Sequence, residues 1–372
     1  MLTREGCRIR QQRLLKKMEQ ERWDLFVTGD YRTAYYFSGM LVAADVPVVF
    51  VAWSDGSTAT IANSKVSAFC DEALYLETYS IQRCIEYPFH DAAALLKSLV
   101  GRRRSRVSQC GVEMASVSGL YERALVDVLS GVRFFDASNT LLSLRKRKEE
   151  DEIEGVRRNL KYCSAAYRAA REIIAPGLSE VDVYNAMYSA ITKEAGTSVS
   201  FAGDFSCGER AVTEGGLPTP RKLQPGDLYI LDIFPCQYLY YADVTRTFAV
   251  TTPTDLQYRA WEIVMRAVRM AESLVKPGVA AREVYAQIKA FLDAESISEG
   301  SFSHHVGHGL GHRGHEAPRI IPGSDDVFEE GDVLTIEPGM YTRALQGGIR
   351  LEDNYVLRAS GLEDLFDYPW EL

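Results

Sequence analysis

The feature that most constrains this chain is an internal repeat. Ala175-Pro176-Gly177-Leu178-Ser179-Glu180-Val181-Asp182-Val183-Tyr184 is echoed by Lys276-Pro277-Gly278-Val279-Ala280-Ala281-Arg282-Glu283-Val284-Tyr285. Further on, Gly226-Asp227-Leu228-Tyr229-Ile230-Leu231-Asp232 is echoed by Gly331-Asp332-Val333-Leu334-Thr335-Ile336-Glu337. Both copies run in the same order: helical pattern, Pro-Gly stop, second helix, Gly-Asp turn, apolar strand, carboxylate. One matched pair could be chance, but every part matched in order is not. The order implies two copies of one half-domain packed about a pseudo-twofold axis. Asp227 and Asp332 sit where Gly-Asp precedes a strand, which is turn chemistry.

The repeat places Asp232 and Glu337 at equivalent strand ends. Each is followed by another carboxylate on what reads as the next strand of a hairpin. These are Asp243, in Ala242-Asp243-Val244-Thr245-Arg246-Thr247-Phe248, and Glu352, in Gly348-Ile349-Arg350-Leu351-Glu352-Asp353. A pseudo-twofold axis would bring all four together, and four like charges at one point need cations or protons. Two divalent ions would neutralise them. Five of the six histidines, His304, His305, His308, His312 and His315, cluster in one segment, which packing alone does not explain. A mixed oxygen and nitrogen ligand set suits manganese, cobalt, zinc or iron better than magnesium or calcium.

Ahead of the repeat, residues 8–22 show one apolar helical face, and Trp23–Thr28 reads as a strand. Val46–Trp53 and Thr58–Ala62 read as strands around the turn Ser54-Asp55-Gly56. Helical patterns recur near 64–72, 91–100 and 118–130, giving an α/β arrangement with no Gly-x-Gly-x-x-Gly and no P-loop. The charge block from Arg145 to Glu152 marks the joint, so the domains are 1–147 and 148–372 and the overall class is α+β. A helix with Ile153, Val156, Leu160, Tyr167 and Ile174 follows the joint.

The net charge of −9 gives no general affinity for nucleic acid, and the run Arg102-Arg103-Arg104 with Arg106 reads as a solvated loop. Seven scattered cysteines without a Cys-x-x-Cys argue for reduced thiols, including Cys207 in its glycine-bearing loop. No leader-like apolar stretch opens the chain and none approaches the roughly 20 residues of a membrane span. The expectation is a cytoplasmic protein without membrane partners.

These residues resemble the pita-bread metallopeptidases, in the Xaa-Pro dipeptidase (prolidase) and Xaa-Pro aminopeptidase P branch. The resemblance covers nearly the whole chain. Trp23-Asp24-Leu25 and Thr33-Ala34-Tyr35-Tyr36-Phe37-Ser38-Gly39 resemble the creatinase-like N-terminal domain, and the second domain then corresponds to the pita-bread domain. The resemblance implies five metal ligands: Asp232, Asp243, His308 in Gly307-His308-Gly309-Leu310-Gly311, Glu337 in Glu337-Pro338-Gly339-Met340-Tyr341, and Glu352. It implies two divalent ions, manganese first, with a bridging hydroxide as nucleophile. It implies that Glu337 shuttles the proton, that His315 and His304 hold the substrate carbonyl or leaving group, and that Arg350 stands beside the ligands. A homodimer is a further implication.

Two positions depart from the family: Phe234 stands where a glycine often follows the first ligand by two, and Gly215 bears on the substrate. A histidine usual upstream of the first ligand strand is replaced by Gly215, in Thr213-Glu214-Gly215-Gly216-Leu217-Pro218. That leaves open an alternative, a related hydrolase or lyase acting on a small non-peptide substrate. A non-catalytic binding scaffold is less compatible with five retained ligands. Arg246 and Arg350 are expected to orient carboxylates, His305, His312 and His90 to lie at the surface, and Tyr238-Leu239-Tyr240-Tyr241 to pack within a strand.

Overall fold

The apolar runs between residues 23 and 62 become neighbouring strands of one sheet, because each carries side chains for a core on both faces. The structure is a computed structural model that describes all residues except 64–67, 83, 85, 86, 214, 296 and 298–301. It divides into two units, Met1–Arg145 and Lys146–Leu372.

The first unit runs α1 (Arg4–Glu21), β1 (Leu25–Thr28), α2 (Tyr31–Ser38), β2 (Val49–Trp53), β3 (Thr58–Ala62), β4 (Glu72–Tyr75), α3 (Phe89–Gly101), β5 (Gln109–Val112), α4 (Gly119–Val128), β6 (Arg133–Asp136) and α5 (Ser138–Lys146). The sheet order is β4-β3-β2-β1-β5-β6. Leu25 and Val27 face a core with α3 and α4, whereas Phe26 and Phe50 face one with α1, α2 and α5. Strand alternation thus feeds two cores from one sheet. The helical pattern read over 64–72 is not borne out where it is described. Residues 68–71 are irregular and β4 begins at Glu72, while 64–67 lie outside the described residues. The Asp71 carboxylate accepts from the Thr58 amide at 2.8 Å and its hydroxyl at 2.9 Å, which ties this stretch to β3 instead of to a helical ladder.

The second unit contains α6 (Glu150–Ile173), α7 (Glu180–Ala195), β7 (Ser200–Cys207), β8 (Leu228–Gln237), β9 (Tyr240–Tyr241), β10 (Val244–Ala249), α8 (Asp255–Leu274), α9 (Ala281–Asp293), β11 (Gly307–Gly309), β12 (Glu316–Ile320), β13 (Val333–Ile336), β14 (Gly339–Thr342), β15 (Gly347–Arg350), β16 (Asp353–Arg358) and β17 (Gly361–Asp364). The repeat is visible bond by bond. Gly177 (φ 94°) and Gly278 (φ 88°) both turn in the left-handed region that glycine favours. Their amides donate to Leu223 O and Phe328 O, each at 2.9 Å. The Asp227 and Asp332 carboxylates accept from the amides three residues upstream, Gln224 and Glu329, each at 2.8 Å. Each half buries its own helix pair, α6 with α7 and α8 with α9. The halves join where Thr245 and Glu352 exchange backbone bonds of 3.3 and 3.2 Å.

One stretch differs from its sequence reading. Only Tyr240 and Tyr241 of the aromatic run are in a strand. Tyr238 (φ 54°) and Leu239 (φ 62°) form the two-residue turn between β8 and β9. A tight hairpin between right-twisted strands needs positive φ at both turn positions, and here non-glycine residues adopt it. Among the described residues no helix is long and apolar enough to cross a membrane.

Candidate metal centre

Nine of the ten residues of β8 are buried, and Asp232 projects from its middle. In register it pairs with Thr245 on β10 and Asp204 on β7. Directly opposed residues share a face, so all three point the same way. Asp243 immediately precedes β10, Glu337 follows β13, Glu352 lies between β15 and β16, and His308 is central in β11. The five expected ligands are therefore brought together, with exposures between 1% and 7%. Candidate ligand atoms of Asp243, His308 and Glu352 lie within 4.8 Å of one another. His308 Nε2 is 3.3 Å from Glu337 Oε1 and 3.7 Å from Asp243 Oδ2.

Neighbouring groups fix the orientation of each ligand. His308 Nδ1 lies 3.0 Å from the Gly309 carbonyl, which can only accept, so Nδ1 carries a proton and Nε2 is turned towards the carboxylates. Thr335 and Thr245 hydroxyls donate to Glu337 Oε1 at 2.9 Å and Glu352 Oε2 at 2.7 Å. Arg350 donates from Nη2 to Asp232 Oδ2 at 2.6 Å and from Nη1 to the Tyr341 hydroxyl at 3.0 Å. Arg246 orients no ligand carboxylate. It holds the Glu352 carbonyl at 2.9 Å and the Asp353 carboxylate at 2.7 Å.

The electrostatics are those of a site built for cations. Burial raises Asp232 to about 6 despite Arg350, and Glu337 adds to the rise. Burial and the neighbouring carboxylates push Asp243 and Glu352 well above the usual range. Burial also works against charged Glu337, but His305 and His308 outweigh it and hold that carboxyl low. Asp232 Oδ1 and Glu352 Oε1 are buried with no hydrogen-bond partner among the described residues. Such orphaned acceptors each cost about 1–3 kcal/mol. The donor set and its orphaned oxygens fit divalent metal binding.

Asp232, Asp243, His308 and Glu337 line a cavity of about 320 Å³. His315 is on its wall, where burial, then His308 and His305, lower its pKa to about 4 and keep the ring neutral. His304 has both ring nitrogens engaged, Nδ1 with the His305 carbonyl and Nε2 with the Tyr341 hydroxyl, each at 2.7 Å. Two histidines expected at the surface are elsewhere. His305 lines the cavity with Nδ1 3.3 Å from Glu337 Oε1, and His312 is buried, its ring 5.3 Å from that of Tyr240. His90 is exposed on α3, as expected. Asp204 and Phe234 also line the cavity, and of the two Asp204 is the one that sequence reasoning missed. Period-two alternation along β7 could have pointed to Asp204, but only with the β7–β8 register known.

A buried set of carboxylates and one imidazole, built by two half-domains, defines a metallohydrolase class. Residues 154–359 match the model of metallopeptidase family M24, and residues 10–147 match the creatinase/prolidase N-terminal domain. The chain belongs to metallopeptidase family M24 and is a peptidase by that membership. It is 27% identical to an uncharacterized peptidase of Bacillus subtilis over 90% of this chain and 95% of that one. It is 30% identical to the Xaa-Pro dipeptidase of Pyrococcus furiosus, covering 64% of this chain and 68% of that one. The solved Xaa-Pro dipeptidase from Bacillus anthracis superposes with a TM-score of 0.83 at 25% identity, over 98% of this chain and 99% of that one.

Proposed function

We propose that the chain is a dinuclear metal-dependent peptidase that hydrolyses Xaa-Pro bonds. The observation that carries this reading is the buried convergence of Asp232, Asp243, His308, Glu337 and Glu352, with orphaned oxygens on Asp232 and Glu352. Two divalent ions, manganese by preference and cobalt, zinc or iron as alternatives, would polarise the scissile carbonyl and make hydroxide available at neutral pH. Each of the chain's own residues has a part. Glu337 Oε2 is not used by the Thr335 hydroxyl and is free to carry a proton from water to the leaving nitrogen. Neutral His315 can donate to the developing oxyanion or the leaving group. His304 acts through Tyr341, whose hydroxyl it accepts from and which in turn accepts from Arg350. Arg350 holds Asp232 in the orientation a ligand needs. The burial of the ligands excludes competing water from the reacting centre.

The Xaa-Pro dipeptidase names of the relatives support this bond class and favour a peptide over the small non-peptide substrate that Gly215 left open. The test is metal content by elemental analysis together with turnover of an Xaa-Pro panel in added manganese. About two ions per chain and cleavage of at least one member are expected. No turnover across the panel would refute the reading.

A further inference from the structure

Among the described residues lining the cavity, Asp204 is the one carboxylate that the metal centre does not use. It stands opposite Asp232 in the β7–β8 register, and its side chain remains 38% exposed. Oδ1 accepts from the Gly216 amide at 3.1 Å. Among the described residues the nearest cation to Oδ2 is Arg350 Nη2, at 3.7 Å, beyond hydrogen-bond range. Arg350 is committed elsewhere, to Asp232, to Tyr341 and, through Nε at 3.2 Å, to Thr245. One Asp204 oxygen therefore faces the cavity with accepting capacity to spare.

Gly215 is what makes room for it. A Cβ at Gly215 would lie 2.5 Å from Asp204 Cγ, closer than such contacts allow. The backbone there is not in the left-handed region, so the glycine is required by the Asp204 carboxylate and not by its own conformation. A side chain at 215 and the Asp204 carboxylate in its present place exclude each other. Phe234, two residues beyond Asp232 on the same side of β8, gives the cavity an apolar wall beside this acceptor.

We propose that Asp204 is a specificity-determining residue that selects substrates carrying an organic cation next to the scissile bond. This rests on the peptidase reading above. An apolar wall ending in a carboxylate suits an ammonium or guanidinium on an aliphatic arm, and the residue before proline would then be basic. The free α-ammonium group is the other source of the same chemistry.

The test compares matched substrates within each protein. Metal-loaded wild type is expected to favour Lys-Pro over norleucyl-Pro in kcat/KM by about tenfold, the scale of one charge-assisted hydrogen bond. In Asp204→Asn the ratio should fall towards one. Gly215→Ala, which displaces the carboxylate without removing it, should lower the ratio too and covers the case in which Asp204→Asn does not fold. If the ratio is near one in wild type but Ala-Pro exceeds acetyl-Ala-Pro and Asp204→Asn removes that difference, the cation is the α-ammonium. A ratio unchanged by both variants, with no amine dependence, overturns the proposal. Calorimetric binding of lysinamide and norleucinamide to the same proteins decides it without turnover. If no Xaa-Pro peptide is cleaved, the Xaa-Pro reading fails, while a lysinamide preference lost in Asp204→Asn still upholds the cation site and its absence rejects it.

Discussion

The two copies of the repeat deliver a carboxylate to the same point and treat it in opposite ways. Asp232, from the first copy, is gripped by Arg350 and is nonetheless raised to about 6 by burial. Glu337, from the second, faces His305 and His308 and is held low. Duplication supplied the geometry, since equivalent turns and strands bring both residues to the axis. Divergence supplied the chemistry: the first copy gives two aspartates, and the second gives two glutamates with a histidine-rich segment. One side of the site thus offers shielded ligands, while the other offers a carboxylate with imidazoles beside it, which is where proton transfer belongs.

The sharpest way to break this contrast is to neutralise each member in turn. Glu337→Gln is expected to lower kcat by at least ~10³-fold, since it loses both a ligand and a proton carrier. Asp232→Asn removes only a ligand and should be partly rescued by raised manganese. Equal rescue of both variants in a metal titration would show that Glu337 is a ligand alone.

Chelation tests whether the metal is what reconciles the two sides. The folded carboxyls of Asp232, Asp243 and Glu352 are raised above their unfolded values, so the bare protein is favoured at low pH and loses stability as pH rises past about 4. EDTA-treated protein should therefore melt progressively lower from pH 5 to pH 8, and by more than metal-loaded protein does. Parallel melting curves across that range would contradict it.

Arg350→Gln loosens the first copy's side specifically. Removing a residue that orients a ligand costs about 10–100-fold in activity or metal affinity. The loss should be accompanied by weaker manganese binding, measured by competition with a chelating dye. Unchanged affinity would mean that Arg350 acts on substrate instead.

Much of this was legible in the sequence because the repeat and the ligand motifs are local. Pro-Gly, Gly-Asp and the strand-end carboxylates each announce themselves within a few residues. What was not legible depends on how distant segments meet. Asp204 enters the cavity only through its register with Asp232, across a connection whose length does not reveal the pairing. His305 reaches Glu337 where the chain bends at residues 304 and 306 before β11 begins, and no local residue pattern announces those bends. Burial of His312 beside Tyr240 links two segments far apart in sequence. The Tyr238-Leu239 turn carries no glycine or asparagine to signal it.

The smallest effect expected concerns the two Gly-Asp turns, which are equivalent in backbone and unequal in charge. Asp227 is paired with Arg221 at 2.7 Å. Asp332 is fully buried, leaves Oδ1 without a hydrogen-bond partner among the described residues, and has Lys146 no nearer than 3.8 Å. Burial raises its pKa from 3.8 to about 6. The folded state thus binds this proton more tightly than the unfolded chain, so the stability it lends is complete below pH 4 and is lost as pH climbs towards 6. Asp332→Asn keeps an acceptor for the Glu329 amide and removes the ionisation. Its melting temperature relative to wild type should rise between pH 4 and pH 7, by the equivalent of up to about 3 kcal/mol. Asp227→Asn should instead be destabilised at pH 7, by roughly 1–3 kcal/mol, because Arg221 loses the more buried of its two carboxylate partners and keeps only Glu209. If both variants shift alike with pH, the turns are electrostatically equivalent after all, and the asymmetry of the two copies is confined to the metal centre.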